Sequence, residues 1–297
     1  MFLYRISSEF YYTKEVPFCL VLGLIVTCLL PIRGSVELGP FFSLLDETME
    51  LTSIIGPILG IVAVLGTAVI KGLPIVSLWG GSALMIVGVG SLAAVVIAYP
   101  MKDLIFSIKS LGLFLNGPKS DSQALIQDVE RLATLARKDG FLALEKEIAN
   151  LTNPFLAKGI QMLVDNTDPV VIQEVLETEI MHHFEEEELA AKFWEDIGAF
   201  SPTVGIIGAV LGLMVVMQNL NNPEKIGPGI ATAFIATIYG VAIANLFALP
   251  AGKKIKRMCH QKKTFREMAA IGVLGIAHSH SPKVLVERLK GMASDGH

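Results

Sequence analysis

Four long stretches of this sequence contain no aspartate, glutamate, lysine, arginine or histidine: residues 51–70, 75–98, 204–217 with its flanks, and 230–249. Titratable groups are costly inside a bilayer and persist there where they carry ions. If these stretches cross a membrane, the chain has no proton relay of its own, and a carboxylate for ion passage has to come from another chain. Cysteine is scarce too. Cys19, Cys28 and Cys259 are scattered, with no C-x-x-C and no histidine at ligand spacing, so neither a disulfide framework nor a zinc site is indicated. No basic stripe with interleaved aromatics occurs away from the apolar runs, and the formal net charge of -4 argues against nucleic-acid binding. No nucleophile, base and orienting group cluster on one polar segment, so an enzyme is not expected.

What is abundant is apolar surface. The chain is 52% hydrophobic with a mean hydropathy of +0.58, more than a soluble domain normally carries. A bilayer core of about 30 Å is crossed by roughly 20 apolar residues in a helix, and the four uncharged stretches meet that length. An all-α integral membrane protein with four transmembrane helices is expected. Lys71-Gly72-Leu73-Pro74 joins the first two spans as a tight antiparallel turn. "QNLNNPEKIGPG" joins the second two. Basic residues set orientation: Lys102 and Lys109 follow span two, Lys192 precedes span three, and Lys253, Lys254, Lys256 and Arg257 follow span four, against only Lys71 and Lys225 in the short loops. The large polar loop and the tail are therefore expected in the cytoplasm.

Both polar parts read as helical. Ile126, Val129, Leu132, Ala133 and Ala136 recur at helical spacing, and Gly140 sits where a C-cap would end that helix. Further helices are expected around 155–164 and, after Asp168-Pro169, from 170 toward 194. Ser281-Pro282 reads as N-cap and first-turn proline for a tail helix. At the N-terminus, the apolar segment 16–31 in the extension 1–48 is short for a span. It reads as an extra anchor, an uncleaved signal-like segment, or translated sequence upstream of a start at Met49.

Small residues mark the later spans. Thr232, Ala236, Gly240, Ala244 and Ala248 fall every four residues, and Gly208 with Gly212 forms GxxxG. Such faces let helix backbones approach closely, either within the chain or along a pore, and Thr203, Thr237 and Tyr239 add hydroxyls to the same region. The glycines of "VGVGSLA" (87–93) lie inside a span and read as helix packing, not a nucleotide loop. Glu179-x-x-His182, beside the "EEEE" of 185–188, reads as a solvated face because a carboxylate-bridged metal site needs further ligands on facing helices; His278 and His280 read as surface residues. In "LARKDGFLALEKEI" (135–148), Arg137 and Lys138 complement the helix dipole and Glu145 follows after a turn.

Taken in order, "LARKDGFLALE", "FLAKGIQMLVDNTDP", "SPTVGIIGAVLGLM", "NNPEKIGPGIATAFIATIYGVAIAN" and "SPKVLVERL" resemble the MotA/PomA family of flagellar motor stator subunits, within the MotA/TolQ/ExbB group. The likeness runs from about Met49 to Met292, and residues 1–48 have no counterpart. The resemblance implies a multi-pass protein of the bacterial inner membrane. It implies a ring of five such subunits around single-span, peptidoglycan-binding MotB-type chains that supply a membrane Asp, with ion flow driving the rotor protein FliG; no cofactor or metal is implied. Arg137 and Glu145, with Lys138 beside them, match the rotor-facing charges. Pro202 matches the proline opening span three, Thr237 the threonine before the Tyr-Gly of span four. Together with the small residues and hydroxyls noted above, this makes Pro202, Thr203, Gly208, Ala209, Gly212, Thr232, Ala236, Thr237, Tyr239 and Gly240 the expected ion-path and packing residues. Ala209, where sodium-driven relatives tend to carry threonine, favours H⁺. The implied division is 1–48 extension, 49–100 first two membrane helices, 101–197 rotor-facing domain, 198–250 membrane helices three and four, and 251–297 cytoplasmic tail. A TolQ/ExbB-like energiser of outer-membrane processes is the alternative, although such relatives have three spans and place a carboxylate in a pore helix.

Overall fold

The chain divides into two units, 1–47 and 48–297. In this computed structural model the described residues are 51–117 and 121–294, all in the second unit. The expectations for the extension 1–48, its apolar segment 16–31 and a start at Met49 lie outside them. The described residues are helical and include no strand, in agreement with the all-α expectation. Four helices are long and apolar enough to cross a membrane.

The first, α1 (Leu51–Ile70), ends at Gly72, whose φ of +73° a side chain would resist. The second span is not one helix. Ile75–Leu78 makes a single 3₁₀ turn, the chain breaks at Trp79-Gly80, and α2 (Gly81–Ala98) follows. Pro100 then separates α2 from α3 (Met101–Lys109), and α4 (Leu111–Asn116) comes next.

In the polar part, side-chain oxygens cap successive helices. Asp121 accepts from the Gln123 and Ala124 amides at the start of α5 (Ser122–Asp139), both at 3.0 Å. Asn153 does the same for α7 (Pro154–Val164), after the short α6 (Glu145–Ile148). Such caps satisfy amides that have no partner within the helix. Gly140, at φ +81°, ends α5 as expected.

The largest departure from the sequence pattern is α8. Residues expected as a polar helix toward 194 and a separate span from 204 form one 50-residue helix, Pro169–Gln218, capped by Asp168. Pro202 lies inside it. Its ring removes the amide bond to the carbonyl four residues back, and Ser201 Oγ and Thr203 Oγ1 donate to the nearby Ile197 and Phe200 carbonyls. Apolar packing by Phe193, Trp194 and Ile197 carries the helix across this charged stretch.

The fourth span behaves similarly. After α9 (Pro223–Ala242) come a π turn at Ile243–Ala248 and then α10 (Leu249–Ala277), with no loop between. The π turn ends two residues before Pro250, whose missing amide and ring disturb the regular ladder. Tail helix α11 (Pro282–Ser294) begins at the expected proline. Its Leu285 and Leu289 join Leu132, Leu144, Leu156, Ile160, Ile172, Leu176 and Val273 in the core of the polar bundle. A second core at the junction gathers Val95, Phe114, Phe193, Trp194, Ala251 and Ile255.

Candidate functional site

The small-residue register of the later spans is spent within the chain. Gly205, Gly208 and Gly212 of α8 are buried against Ala233, Ala236 and Gly240 of α9. A Cβ at Gly240 would stand 2.6 Å from the Ser201 carbonyl oxygen, and one at Gly212 would stand 2.8 Å from the Ala233 nitrogen. Backbone fills the space, so the helices cross at a distance only glycine permits. Pro202 belongs to this crossing, since its Cα lies 3.2 Å from the same ideal Gly240 Cβ; the Thr237 Cα is 3.6 Å from that of Gly205. Ala209 is half-buried beside it.

The hydroxyls divide. Thr232 is half-buried, bonded to the Pro228 carbonyl, and lines a cavity of about 180 Å³ with Ser82, Ala83, Ile86, Gly208 and Gly212. Thr237 donates to the Ala233 carbonyl at 3.2 Å. Thr203 is exposed. Tyr239, grouped with the pore hydroxyls on sequence grounds, holds the broken second span together. Its hydroxyl donates to the Leu78 carbonyl at 2.7 Å and accepts from the Gly80 amide at 3.3 Å. Asn245 escaped notice in the sequence: it is exposed in the π turn, its amide donating to the Val241 carbonyl.

The charged segment lies far along the chain from this seam. Arg137 and Lys138 end α5 and Glu145 opens α6, and all three are exposed. Between them the chain turns over Gly140 and a 3₁₀ turn, Phe141–Leu144. Leu144 is fully buried while Leu142 is 76% exposed, so an apolar side chain stands between the two charged positions. Sequence spacing placed the charges but gave no reason to separate Leu142 from its buried neighbour. Arg131 pairs with Asp128 and Glu147 and braces α5 against α6.

Between seam and bundle, polar contacts knit the junction. The Tyr99 hydroxyl donates to Asp196 Oδ2 at 2.6 Å, and the Trp194 indole donates to the Ser107 carbonyl at 3.2 Å. Burial, and then the hydrogen bond to the Asp196 carboxylate, raise the Tyr99 pKa well above its ordinary value. Glu187 on α8 binds Arg266 at 3.0 Å and Lys262 at 3.4 Å on α10. Glu179 and His182 form no metal cluster with other ligands; no such cluster of three or more occurs among the described residues.

Comparison with known proteins agrees with this architecture. The MotA/TolQ/ExbB proton channel family matches residues 147–268. Motility protein A of Bacillus subtilis is 32% identical over 246 residues, covering 81% of this chain and 90% of that protein. The chain belongs to the motility protein A family. Motility protein A of Helicobacter pylori is 33% identical, covering 84% of this chain and 96% of that protein. Among solved structures, C. jejuni MotAB superposes with a TM-score of 0.79 at 27% identity, covering 82% and 96% of the two chains. Family membership and four apolar helices make this a multi-pass membrane protein. The family is one of channel and motility proteins.

Proposed function

We propose that this chain is the stator subunit of a bacterial flagellar motor, residing in the inner membrane, and that with a MotB-type single-span partner it forms a proton channel whose ion flow turns the rotor. The observation that carries this reading is the continuity of α8. One helix runs from the glycine seam, through the junction, into the bundle that presents Arg137, Lys138 and Glu145. A rearrangement at the seam can reach the charged segment without crossing a flexible loop.

The likeness to solved MotAB structures supports a MotB-type partner and an oligomeric complex. Residues 198–250 then line the ion path, with Pro202 and Thr237 near its narrowest crossing. Residues 101–197 and 251–297 lie in the cytoplasm, and five copies form the ring. The partner supplies the membrane Asp, since the four uncharged stretches contain no aspartate, glutamate, lysine, arginine or histidine. Ala209 carries no oxygen to replace the hydration shell of a sodium ion, which favours H⁺. Arg137, Lys138 and Glu145 face FliG. A proton crossing 100 mV yields about 2.3 kcal/mol, so contacts remade at every step have to be weak, as exposed ion pairs of about 0–1 kcal/mol are.

The test is proton flux and motility in a strain lacking its own stators. This chain with its MotB-type partner should restore swimming, and the partner's membrane Asp→Asn should abolish it. Acidification of vesicles holding this chain alone would overturn the channel assignment.

A further inference from the structure

The helix α3 begins three residues after α2 leaves the apolar span, across the break at Tyr99-Pro100. One face is committed to the protein. Ser107 is fully buried, its carbonyl accepts from the Trp194 indole, and Leu104 packs on the junction core. The Tyr99–Asp196 bond holds the start of the helix against α8. The helix is therefore fixed at the level where the span ends.

Its other face is not covered by any of the described residues. Met101, Ile105 and Ile108 are 69%, 50% and 55% exposed, and they fall at i, i+4 and i+7, a single stripe along the helix. Lys102 and Lys109, both exposed, form the neighbouring stripe on the side away from the packed face. Protein, hydrocarbon and cation thus follow one another around the helix, with Phe106, 43% exposed, beyond the lysines and half-buried Asp103 at the edge of the packed face. This is the order required of a helix lying in the plane of a bilayer surface, its apolar edge among the acyl chains and its lysines among the headgroups.

We propose that α3 is a binding surface for anionic phospholipid. Met101, Ile105 and Ile108 enter the acyl layer and Lys102 and Lys109 hold the headgroup phosphates. The occupant is a lipid and not a second protein because the stripe continues directly from a membrane span and because its flanking charge is complementary to an anionic leaflet. Through Trp194 and Tyr99 a lipid held here anchors the middle of α8. The proposal rests on the membrane placement of the spans, not on torque generation.

The test uses the full-length chain with its MotB-type partner in nanodiscs, where both bilayer faces are open to solvent. Cys19, Cys28 and Cys259 are replaced by alanine, and a bimane label is placed at Ile105→Cys or Lys109→Cys. The label at 105 should be quenched by doxyl-labelled phospholipid and shielded from iodide, and the label at 109 should show the reverse. Quenching at 105 by doxyl-phosphatidylglycerol should exceed that by doxyl-phosphatidylcholine. This preference should fall about fivefold for each of Lys102→Gln and Lys109→Gln at low salt, whereas Lys283→Gln on the distant α11 should leave it unchanged. Equal access of iodide to both positions would overturn the proposal by showing a water-facing helix. Shielding of both from iodide and lipid alike would overturn it by showing a protein occupant. A lipid preference indifferent to the two lysines would overturn the assigned site.

Discussion

The seam between α8 and α9 and the core of the polar bundle are built from opposite residues. Glycine and alanine meet in the seam, with backbone atoms where side chains would be. In the bundle Leu132, Leu156, Ile160, Ile172 and Leu176 are fully buried. The solvent explains the difference. In water, each large apolar side chain removed from solvent contributes about 1.5–3 kcal/mol. Lipid offers no such gain, so membrane helices associate through close van der Waals contact, which small residues allow. The seam should therefore tolerate no added atom and the bundle no missing one.

The largest effect is expected from adding volume to the seam. Gly240→Leu places a side chain where backbone already stands 2.6 Å from the ideal Cβ. Folded, membrane-extracted protein should be all but lost, since the added side chain meets backbone that cannot move aside, where even the overpacking of movable side chains costs about 1–3 kcal/mol. Gly66→Ala, where nothing lies within 4 Å, should leave the yield unchanged on size-exclusion chromatography. Equal yields from the two variants would mean that the α8–α9 crossing is not the tight contact.

Removing volume from the bundle comes next. Leu132→Ala should destabilise it by about 2–5 kcal/mol, the usual cost of a buried leucine truncation, read as a lower midpoint in denaturant. The same truncation at exposed Leu142 should leave the midpoint in place.

The junction between the two regions should respond less. Tyr99→Phe removes the bond to Asp196, and the unpaired carboxylate should cost about 1–3 kcal/mol. The sign of the pH dependence follows from the raised pKa of Tyr99. Its contribution is fully present below the ordinary tyrosine value of 10.0 and is lost only as pH rises through the higher folded value. The gap between wild type and variant should therefore stay constant across the neutral range in thermal melts.

How much of this could be read from the sequence follows the same division. The four apolar stretches, the start of the tail helix at Pro282 and the turn at Gly140 were legible because each depends on neighbours within a few residues. Continuity of α8 was not. Lys192, Glu195 and Asp196 interrupt the apolar pattern and Pro202 looks like a breaker, while what sustains the helix is packing of Phe193, Trp194 and Ile197 on α3, α4 and α10. The part played by Tyr239 was equally hidden, since its hydroxyl reaches a carbonyl 161 positions away. GxxxG spacing announced a close approach without saying to what, and only the position of Ala236 against Gly208 assigns it to this chain's own α9.

The smallest effect on the fold belongs to the charged segment, and there the comparison is sharpest. Arg137 and Glu145 are exposed, so Arg137→Asp with Glu145→Arg should change stability by no more than about 0.5 kcal/mol, the range for surface substitutions. Insertion, partner binding and ring assembly should be unaltered. Torque under load should nevertheless drop, because complementary fields guide such encounters and like charges oppose them. Reversing the facing charge on FliG should restore part of it. Leu142→Ala separates the two kinds of contact: if the exposed leucine also touches the rotor, torque falls in that variant without sensitivity to salt, whereas the charge reversals lose their effect as salt screens them. A doubly reversed protein that assembled and drove normal rotation under high load would assign Arg137 and Lys138 to the dipole of α5 alone.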